Sequence, residues 1–400
     1  MEQKNTKQWS KKKLFGYTAF VLLFFLLIIE LSFRIPAYFR WSPYSTDLQI
    51  QGSPRLASDS ILIWNNRPFY LEFYKESQYN ELGIRMPPGE VFMPKKQESD
   101  FWVFLLGGSA MAGMGSNISG EWLDITNIFN HPISTSIDGY LEKYLAERIP
   151  DKKVKVFNAA ISSTTVLQSQ WNYERLKKYN PDWVISMDGV NEPKSIAPNY
   201  SVKQYLIDDW KNDPSNNKPI TTYTALTRMS AFLNSAKKNF FFSRLKLRRA
   251  NNKVIQDKWM NATPLELKYD TEDPTISNAV DSFLMSLDAF RDLLVKNQQQ
   301  HLLLIQPHLS RRNTNKLKDL EHGVYNYYTT LLDYAPTNQY YQIMYDKATE
   351  KYSNDSTIFL MNWIHESDKW VFVDYCHFTK ELNEDIAMRM GDYIISHQNN

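Results

Sequence analysis

The sequence predicts an α/β fold in which a mainly parallel β-sheet is covered by helices on both faces. Short apolar runs, bounded by Gly, Pro or Asn, have the composition of buried strands. Longer segments between them repeat apolar residues at helical spacing. Because strands that alternate with helices are joined by crossovers, neighbouring strands run parallel and both faces of the sheet become buried.

Each predicted element follows from one of these two patterns. Five apolar runs are predicted as strands, at residues 101–106, 154–158, 183–187, 301–307 and 358–361. Helical spacing predicts helices at 134–148, 166–178 and 278–296, and the segment 378–390 is also helix-like. The second helix is expected to stop before Pro181, since the residue preceding a proline is biased away from helical backbone angles.

Composition excludes several classes of protein. The chain has 400 residues, 43% of them hydrophobic, which is ample for one large core. Lys and Arg total 46 and Asp and Glu 44, so the net charge of +2 gives no basic field for nucleic acid. Cys376 is the one cysteine, which excludes an internal disulfide and a zinc site built on several thiolates.

The N-terminal region has the pattern of a membrane anchor. Residues 14–29 carry no charge, and Leu31 and Phe33 extend the apolar stretch, so we predict a transmembrane helix over 14–33. Lysines precede it, at positions 4, 7, 11, 12 and 13. The positive-inside rule therefore predicts a cytoplasmic tail at 1–13 and an extracytoplasmic remainder. A cleaved signal peptide is the alternative, but bulky and charged residues follow the apolar run.

The extracytoplasmic part divides into an approach segment and a domain. Residues 34–98 have few periodic elements and read as an extended approach, whereas 99–400 carry the alternating pattern. Residues 195–275 interrupt the alternation with a polar, loop-like composition. We interpret that block as an insertion in the domain.

Four polar residues suited to acyl transfer follow predicted strands. Ser109 comes on a Gly-Gly turn after the first strand, Asn191 follows the third, and Asp374 precedes His377 by three residues near the C-terminus. Functional groups collect beyond the carboxyl ends of the strands in open α/β sheets, so we expect these four residues to converge. His365, which follows the fifth strand, is the competing candidate for the base.

The chemistry of these residue types is complementary. A serine hydroxyl can attack a carbonyl, a histidine can take its proton, and a carboxylate can fix the histidine tautomer. An asparagine amide can donate a hydrogen bond to the oxyanion that forms. Each motif alone is also typical of an ordinary turn or helix cap, so their order along the chain is what points to a site.

Taken in order, the motifs resemble those of the SGNH (GDSL-like) hydrolase family. Residues 108–109 are similar to its G-D-S or G-G-S turn, 189–192 to its G-x-N-D block, and 374–377 to its D-x-x-H block. The segment 80–85 is similar to an N-x-x-G-x-R segment of membrane-anchored bacterial members. The resemblance covers residues 80–195 and 300–392.

The resemblance implies a flavodoxin-like three-layer sandwich and a set of site residues. Ser109, Asp374 and His377 would form the catalytic triad, and the N–H groups of Ser109 and Ala160 would form the oxyanion hole with the Asn191 amide. The chain departs from the family pattern at 158–163, which reads N-A-A-I-S-S instead of N-x-G-x-x-G, and at Glu192, where the family has Asp. Ala160 keeps the backbone donor if its φ and ψ suit a residue with a Cβ.

The implied function is a membrane-anchored extracytoplasmic serine esterase or O-acyltransferase. The expected partners are a lipid bilayer, through 14–33, and an acylated glycan or small ester, at the outer side of a bacterial cytoplasmic membrane. No cofactor, metal or nucleic acid is expected. One alternative is a non-catalytic, membrane-tethered glycan-binding or scaffold protein. A metal hydrolase is disfavoured, since the seven histidines form no H-x-x-x-H or H-E-x-x-H pattern.

Overall fold

The structure, a computed structural model, describes residues 11–40, 56–59, 61–66, 77–115, 132–192, 274–330 and 335–398. Its helices are α1 (Lys11–Arg40), α2 (Ile137–Arg148), α3 (Val166–Leu176), α4 (Pro274–Lys296), α5 (Asp319–Thr330), α6 (Ala335–Tyr352) and α7 (Lys380–His397). Its strands are β1 (Leu56–Asp59), β2 (Ile63–Asn66), β3 (Gln78–Tyr79), β4 (Arg85–Met86), β5 (Asp100–Gly107), β6 (Lys153–Asn158), β7 (Trp183–Asp188), β8 (Gln300–Ile305) and β9 (Ile358–Leu360). All but the last two residues of the predicted insertion at 195–275 lie outside the described residues.

The main sheet of the described residues has the strand order β3-β4-β6-β5-β7-β8-β9. The five strands from β6 to β9 in that order pair in parallel, and β3 and β4 add an antiparallel edge. The predicted α/β class with a mainly parallel sheet is therefore confirmed. The five predicted strands correspond to β5 through β9 and shift by one or two residues at their ends.

Side chains of β5 show how the two helical layers are assigned. Val103 and Leu105 point to a core shared with α2 and α7, whereas Trp102, Phe104 and Leu106 point to a core shared with α3, α4 and α6. Successive residues of a strand face opposite sides of its sheet, and all of β5 after Asp100 is buried. The sheet is thus the middle layer of three. The carboxyl ends of its parallel strands lie along the same edge of the sheet.

The approach segment predicted at 34–98 is partly integrated into the domain. Arg85 of β4 pairs with Asn158 of β6, so the sheet includes residues that the sequence analysis placed before the domain. The predicted boundary at residue 99 therefore falls after the first two strands of this sheet along the chain. Two-residue strands give too few positions for a period-two pattern to be read from sequence.

The predicted transmembrane helix at 14–33 falls within α1. No helix of the described residues has both the length and the apolar character needed to cross a membrane. The membrane span is therefore not confirmed.

Candidate active site

The nucleophile turn begins where β5 ends against β7. Gly107 has φ +125°, and a Cβ at this position would lie 2.3 Å from the Met187 carbonyl oxygen, so no side chain fits there. Gly108 and Ser109 follow at the carboxyl edge of the sheet, and Ser109 is buried. The Ser109 carbonyl accepts a hydrogen bond from Met114 N at 3.0 Å, so the chain turns helically just after the serine.

Ser109, His377 and Asp374 lie in one continuous hydrogen-bonded line. His377 Nε2 is 2.7 Å from Ser109 Oγ, although 268 residues separate them in the chain. His377 Nδ1 is 2.6 Å from Asp374 Oδ2. Since Nδ1 can meet a carboxylate only as a donor, Nε2 of the neutral ring is left to accept the serine proton.

The turn that carries Asp374 and His377 is fixed by its own backbone. Asp374 Oδ1 accepts from Cys376 N at 2.9 Å and from His377 N at 2.8 Å. Gln306 Nε2, just past β8, donates to the Cys376 carbonyl at 2.9 Å. Asp374 Oδ2 is therefore held toward the His377 ring. This explains how a carboxylate three residues before a histidine can orient the imidazole.

The electrostatics of the pair favour an ionised carboxylate beside a basic imidazole. Burial opposes ionisation of Asp374, but His377 and the two backbone N–H donors together hold the pKa of this carboxyl below its usual value. Burial also disfavours the imidazolium, but Asp374 raises the pKa of His377 well above its usual value. Because burial raises the pKa of the Cys376 thiol, that sulfur is uncharged at neutral pH and Asp374 supplies the attraction.

Asn191 packs against the turn that carries Ser109. Its Nδ2 donates to the Thr164 carbonyl at 2.9 Å, which leaves one amide hydrogen for another acceptor. A Cβ built on Gly108 would be 2.9 Å from the same nitrogen, so the amide packs against the backbone next to Ser109. This places a side-chain donor beside Ser109, as the order of the motifs predicts.

Ala160 adopts a backbone conformation that accommodates its Cβ. The described non-glycine residues with positive φ are Ser163, Asn180 and Gln298, and Ala160 is not among them. Its N–H lies 3.2 Å from Asn158 Oδ1, so in this state the expected oxyanion donor already has an acceptor. Ser163 stands where the N-x-G-x-x-G pattern has its second glycine. Its φ of 65° is strained for a residue with a side chain.

Glu192 supports the start of α3. Its Oε1 accepts from Val166 N at 2.7 Å, at the start of α3. Burial and the nearby Asp188 raise the pKa of Glu192 to about 8, and burial raises the pKa of Asp188 to about 6. Asp188 itself accepts from Ser169 Oγ at 2.8 Å. The longer side chain at this block therefore reaches a helix N-terminus, a role that the motif alone does not reveal.

His365, the competing base, is placed elsewhere. Its ring lies edge-on to Tyr345, with 5.1 Å between ring centroids, and its carbonyl accepts from Arg312 at 2.7 Å. Burial, with the guanidinium groups of Arg311 and Arg312, lowers the pKa of His365 to about 3. Of the two candidate bases, His377 is the one at Ser109.

Asp374, Cys376 and His377 could also offer three ligand atoms to a metal, all within 4.8 Å of one another. The carboxylate and imidazole atoms, however, already bond to each other and to Ser109. The Cys376 thiol, with its raised pKa, is protonated, and only a thiolate is a good ligand. The donor set fits proton transfer better than metal binding.

Comparisons with known proteins give distant structural similarity alone. No protein-family model matches the sequence, and the curated proteins give no match. The chain is similar to an acetyl xylan esterase, AlAXEase, at 12% identity over 74% of this chain and 100% of that one, with a TM-score of 0.35. It is similar to a putative GDSL-like lipase from Parabacteroides merdae ATCC 43184 at 11% identity over 75% and 100%, with a TM-score of 0.34. It is also similar to a carbohydrate acetylesterase family member from Sinorhizobium meliloti, at 12% identity over 74% of this chain and 98% of that one, with a TM-score of 0.31. Similarity this distant assigns no activity, so the chemistry depends on the site's own contacts.

Proposed function

We propose that this chain is a serine ester hydrolase of the SGNH (GDSL-like) kind, with Ser109 as nucleophile, His377 as base and Asp374 as its partner. The observation that carries the proposal is the 2.7 Å contact between Ser109 Oγ and His377 Nε2, backed by the 2.6 Å contact to Asp374. A nucleophile bonded to a base that is itself oriented by a third group is the arrangement that activates serine.

The reaction proceeds in two halves. Ser109 Oγ attacks the ester carbonyl carbon while its proton passes to His377 Nε2, and Asp374 stabilises the imidazolium. The tetrahedral intermediate collapses, the carbon–oxygen bond to the alcohol breaks, and the alcohol takes the proton from His377. Water then attacks the acyl-serine with His377 again as base, and the acid leaves as Ser109 regains its proton.

The oxyanion of each intermediate would be held by the N–H groups of Ser109 and Ala160 and by the Asn191 amide. Asn158 Oδ1 is a neutral acceptor at 3.2 Å from the Ala160 nitrogen. A charged oxygen is the stronger acceptor, so the developing oxyanion would draw this N–H from Asn158 as charge accumulates. The Ala160 N–H therefore stays hydrogen-bonded to Asn158 until the intermediate forms.

The proposed substrates are O-acyl esters on an envelope or exported polysaccharide. In an O-acyltransferase a sugar hydroxyl would replace water in the second half-reaction, with the same proton transfers through His377. Release of acid in buffer alone would indicate a hydrolase. Acyl transfer seen only with an added acceptor sugar would indicate a transferase.

We also propose that α1 attaches the domain to the bacterial cytoplasmic membrane, with the N-terminus inside and the domain outside. In support, large apolar side chains of α1 such as Phe15, Phe20 and Leu23 are 65–78% exposed. Lysines flank the apolar run on its N-terminal side. A reporter fused after Asn400 should be active outside the cytoplasm; activity inside, or a mature N-terminus beyond residue 33, would refute this attachment.

Labelling with a fluorophosphonate tests the nucleophile directly. The full-length chain should gain one phosphonate on Ser109, located by peptide mass spectrometry, and Ser109→Ala should gain none. His377→Ala should label far more slowly, because the unassisted serine is a weak nucleophile. Label on another residue, or equal labelling of wild type and Ser109→Ala, would instead favour the non-catalytic glycan-binding alternative.

A further inference from the structure

We propose that Asn66 is a positioning residue for the oxyanion side of the site, an inference that rests on the proposed function. Asn66 ends β2, which pairs with β1 in a small sheet separate from the main one. Its side chain is fully buried and contacts the Ala160 loop, 94 residues further along the chain.

Asn66 uses both amide hydrogens to join two loops. Its Nδ2 donates to the Ala160 carbonyl at 2.9 Å and to the Gly83 carbonyl at 3.1 Å. Because both neighbours are acceptors, the NH₂ group must face them, which fixes the amide orientation. The Asn66 backbone N–H donates to Oδ1 of the adjacent Asn65 at 2.8 Å, so this buried backbone donor is also satisfied.

The Ala160 N–H can point at an oxyanion only if the peptide planes on both sides of Ala160 are held. On one side, the Ala159 carbonyl accepts from Asn172 Nδ2 at 2.9 Å. On the other, the Ala160 carbonyl accepts from Asn66, and Ile161 N donates to the last carbonyl of β5 at 2.9 Å. Asn66 thus restrains one of the two planes, and it does so from outside the main sheet without reaching Ser109 itself.

Asn66→Asp is the sharpest test, because it keeps the shape and replaces a donor with a carboxylate that faces two carbonyl oxygens. Asn65→Asp is the matched control. Asn65 is also buried, its Nδ2 donates to Leu82 O at 3.0 Å, and its Oδ1, the acceptor for Asn66, survives the change. Both variants place a carboxylate in the same hairpin, but Asn66 alone of the two bonds to Ala160.

The experiment compares kcat and KM on p-nitrophenyl acetate for full-length wild type and both variants. We expect Asn66→Asp to lower kcat on the order of 10- to 100-fold with little change in KM, as for a misplaced catalytic donor. Asn65→Asp should keep kcat within about twofold of wild type. Should Asn66→Asp not fold, Asn66→Ala, which adds no charge, should show the same split between kcat and KM. Equal kcat in the Asn66 and Asn65 variants overturns the inference and leaves the proposed function intact.

A second measurement does not depend on activity. Hydrogen exchange of the peptide covering residues 158–163 should be faster in Asn66→Asp than in Asn65→Asp, because one restraint on that loop is lost. A wild type inactive on esters, both with and without acceptor sugars, would refute the proposed function alone. Equal exchange in the two variants would refute the positioning role, whatever the activity.

Discussion

Gly108 and Asn191 fit against each other at the carboxyl edge of the sheet, where a Cβ on Gly108 would come within 2.9 Å of Asn191 Nδ2. The amide cannot simply retreat, because the same nitrogen donates to Thr164 O at 2.9 Å. Real Cβ atoms do not approach neighbours this closely, so a side chain at Gly108 must move Asn191. The position of the Asn191 amide thus explains why the residue before Ser109 is a glycine.

Gly108→Ala should therefore lower kcat on esters, on the order of 100-fold, by displacing the Asn191 amide. Asn191→Ala removes the same donor and should cost on the order of 10²- to 10³-fold. Since both act through one group, the double variant should be no slower than Asn191→Ala alone. Losses that multiply in the double variant would show that Gly108 matters for another reason.

The convergence of Ser109, Asp374 and His377 could be predicted from sequence, but the contacts that support these residues could not. Ser109 and Asn191 each follow a recognisable buried strand, and parallel strand ends meet at one edge of a sheet. Asn66 and Asn158 carry no such signal, because their partners are backbone carbonyls and N–H groups that only the folded chain brings near. A buried asparagine at a strand end is a weak pointer, since asparagines at such positions also form ordinary turns.

The activity of the wild type should rise with pH through the titration of His377. Its raised pKa keeps the ring protonated to higher pH, and a protonated ring cannot accept the Ser109 proton. The midpoint of kcat/KM against pH should therefore lie above the ~6.5 of an unperturbed histidine. Cys376→Ala should leave the midpoint in place if Asp374 is the source of the shift. A midpoint below ~6.5 would contradict the electrostatic account.

Ser163→Gly should stabilise the chain by about 1 kcal/mol, because Ser163 holds a left-handed φ of 65° that glycine adopts freely. Ala160→Gly is the matched control in the same loop. Ala160 has no positive φ, so glycine there should lower stability by about 0.5–1 kcal/mol. Unfolding in denaturant measures both. Stabilisation by Ala160→Gly and not by Ser163→Gly would mean that the backbone strain lies at Ala160 instead.

The fold was predictable where elements are long and apolar. Strands such as β5 and β7 are almost wholly buried and read clearly as apolar runs. Helix α6 was missed, because its sequence APTNQYYQIMYDKATEKY is rich in tyrosine and its buried face includes Tyr340, Tyr341 and Tyr345. Aromatic residues have modest helix propensity, so packing and not local preference stabilises this helix.

Glu321→Gln should destabilise the chain by about 3–5 kcal/mol, because it leaves the buried charge of Arg312 without its counter-ion. The two side chains are 0% exposed and 3.3 Å apart, and Glu321 also accepts from Phe372 N at 3.1 Å, two residues before Asp374. Asp368→Asn, which breaks an exposed pair with Lys316, should cost far less, because water and salt screen that pair. Equal costs in thermal or denaturant unfolding would contradict the stabilising role given to the buried pair.

The most direct test of the central claim is the rate of p-nitrophenyl acetate hydrolysis by the full-length chain and its Ser109→Ala variant. The account predicts measurable acid release by the wild type and a loss on the order of 10³-fold or more in the variant, since nucleophile and base act as a unit. Folding of the variant is checked by an unchanged unfolding midpoint. Equal slow turnover by the two proteins, across several esters and acceptor sugars, would contradict Ser109 as the nucleophile and leave a fold without this chemistry.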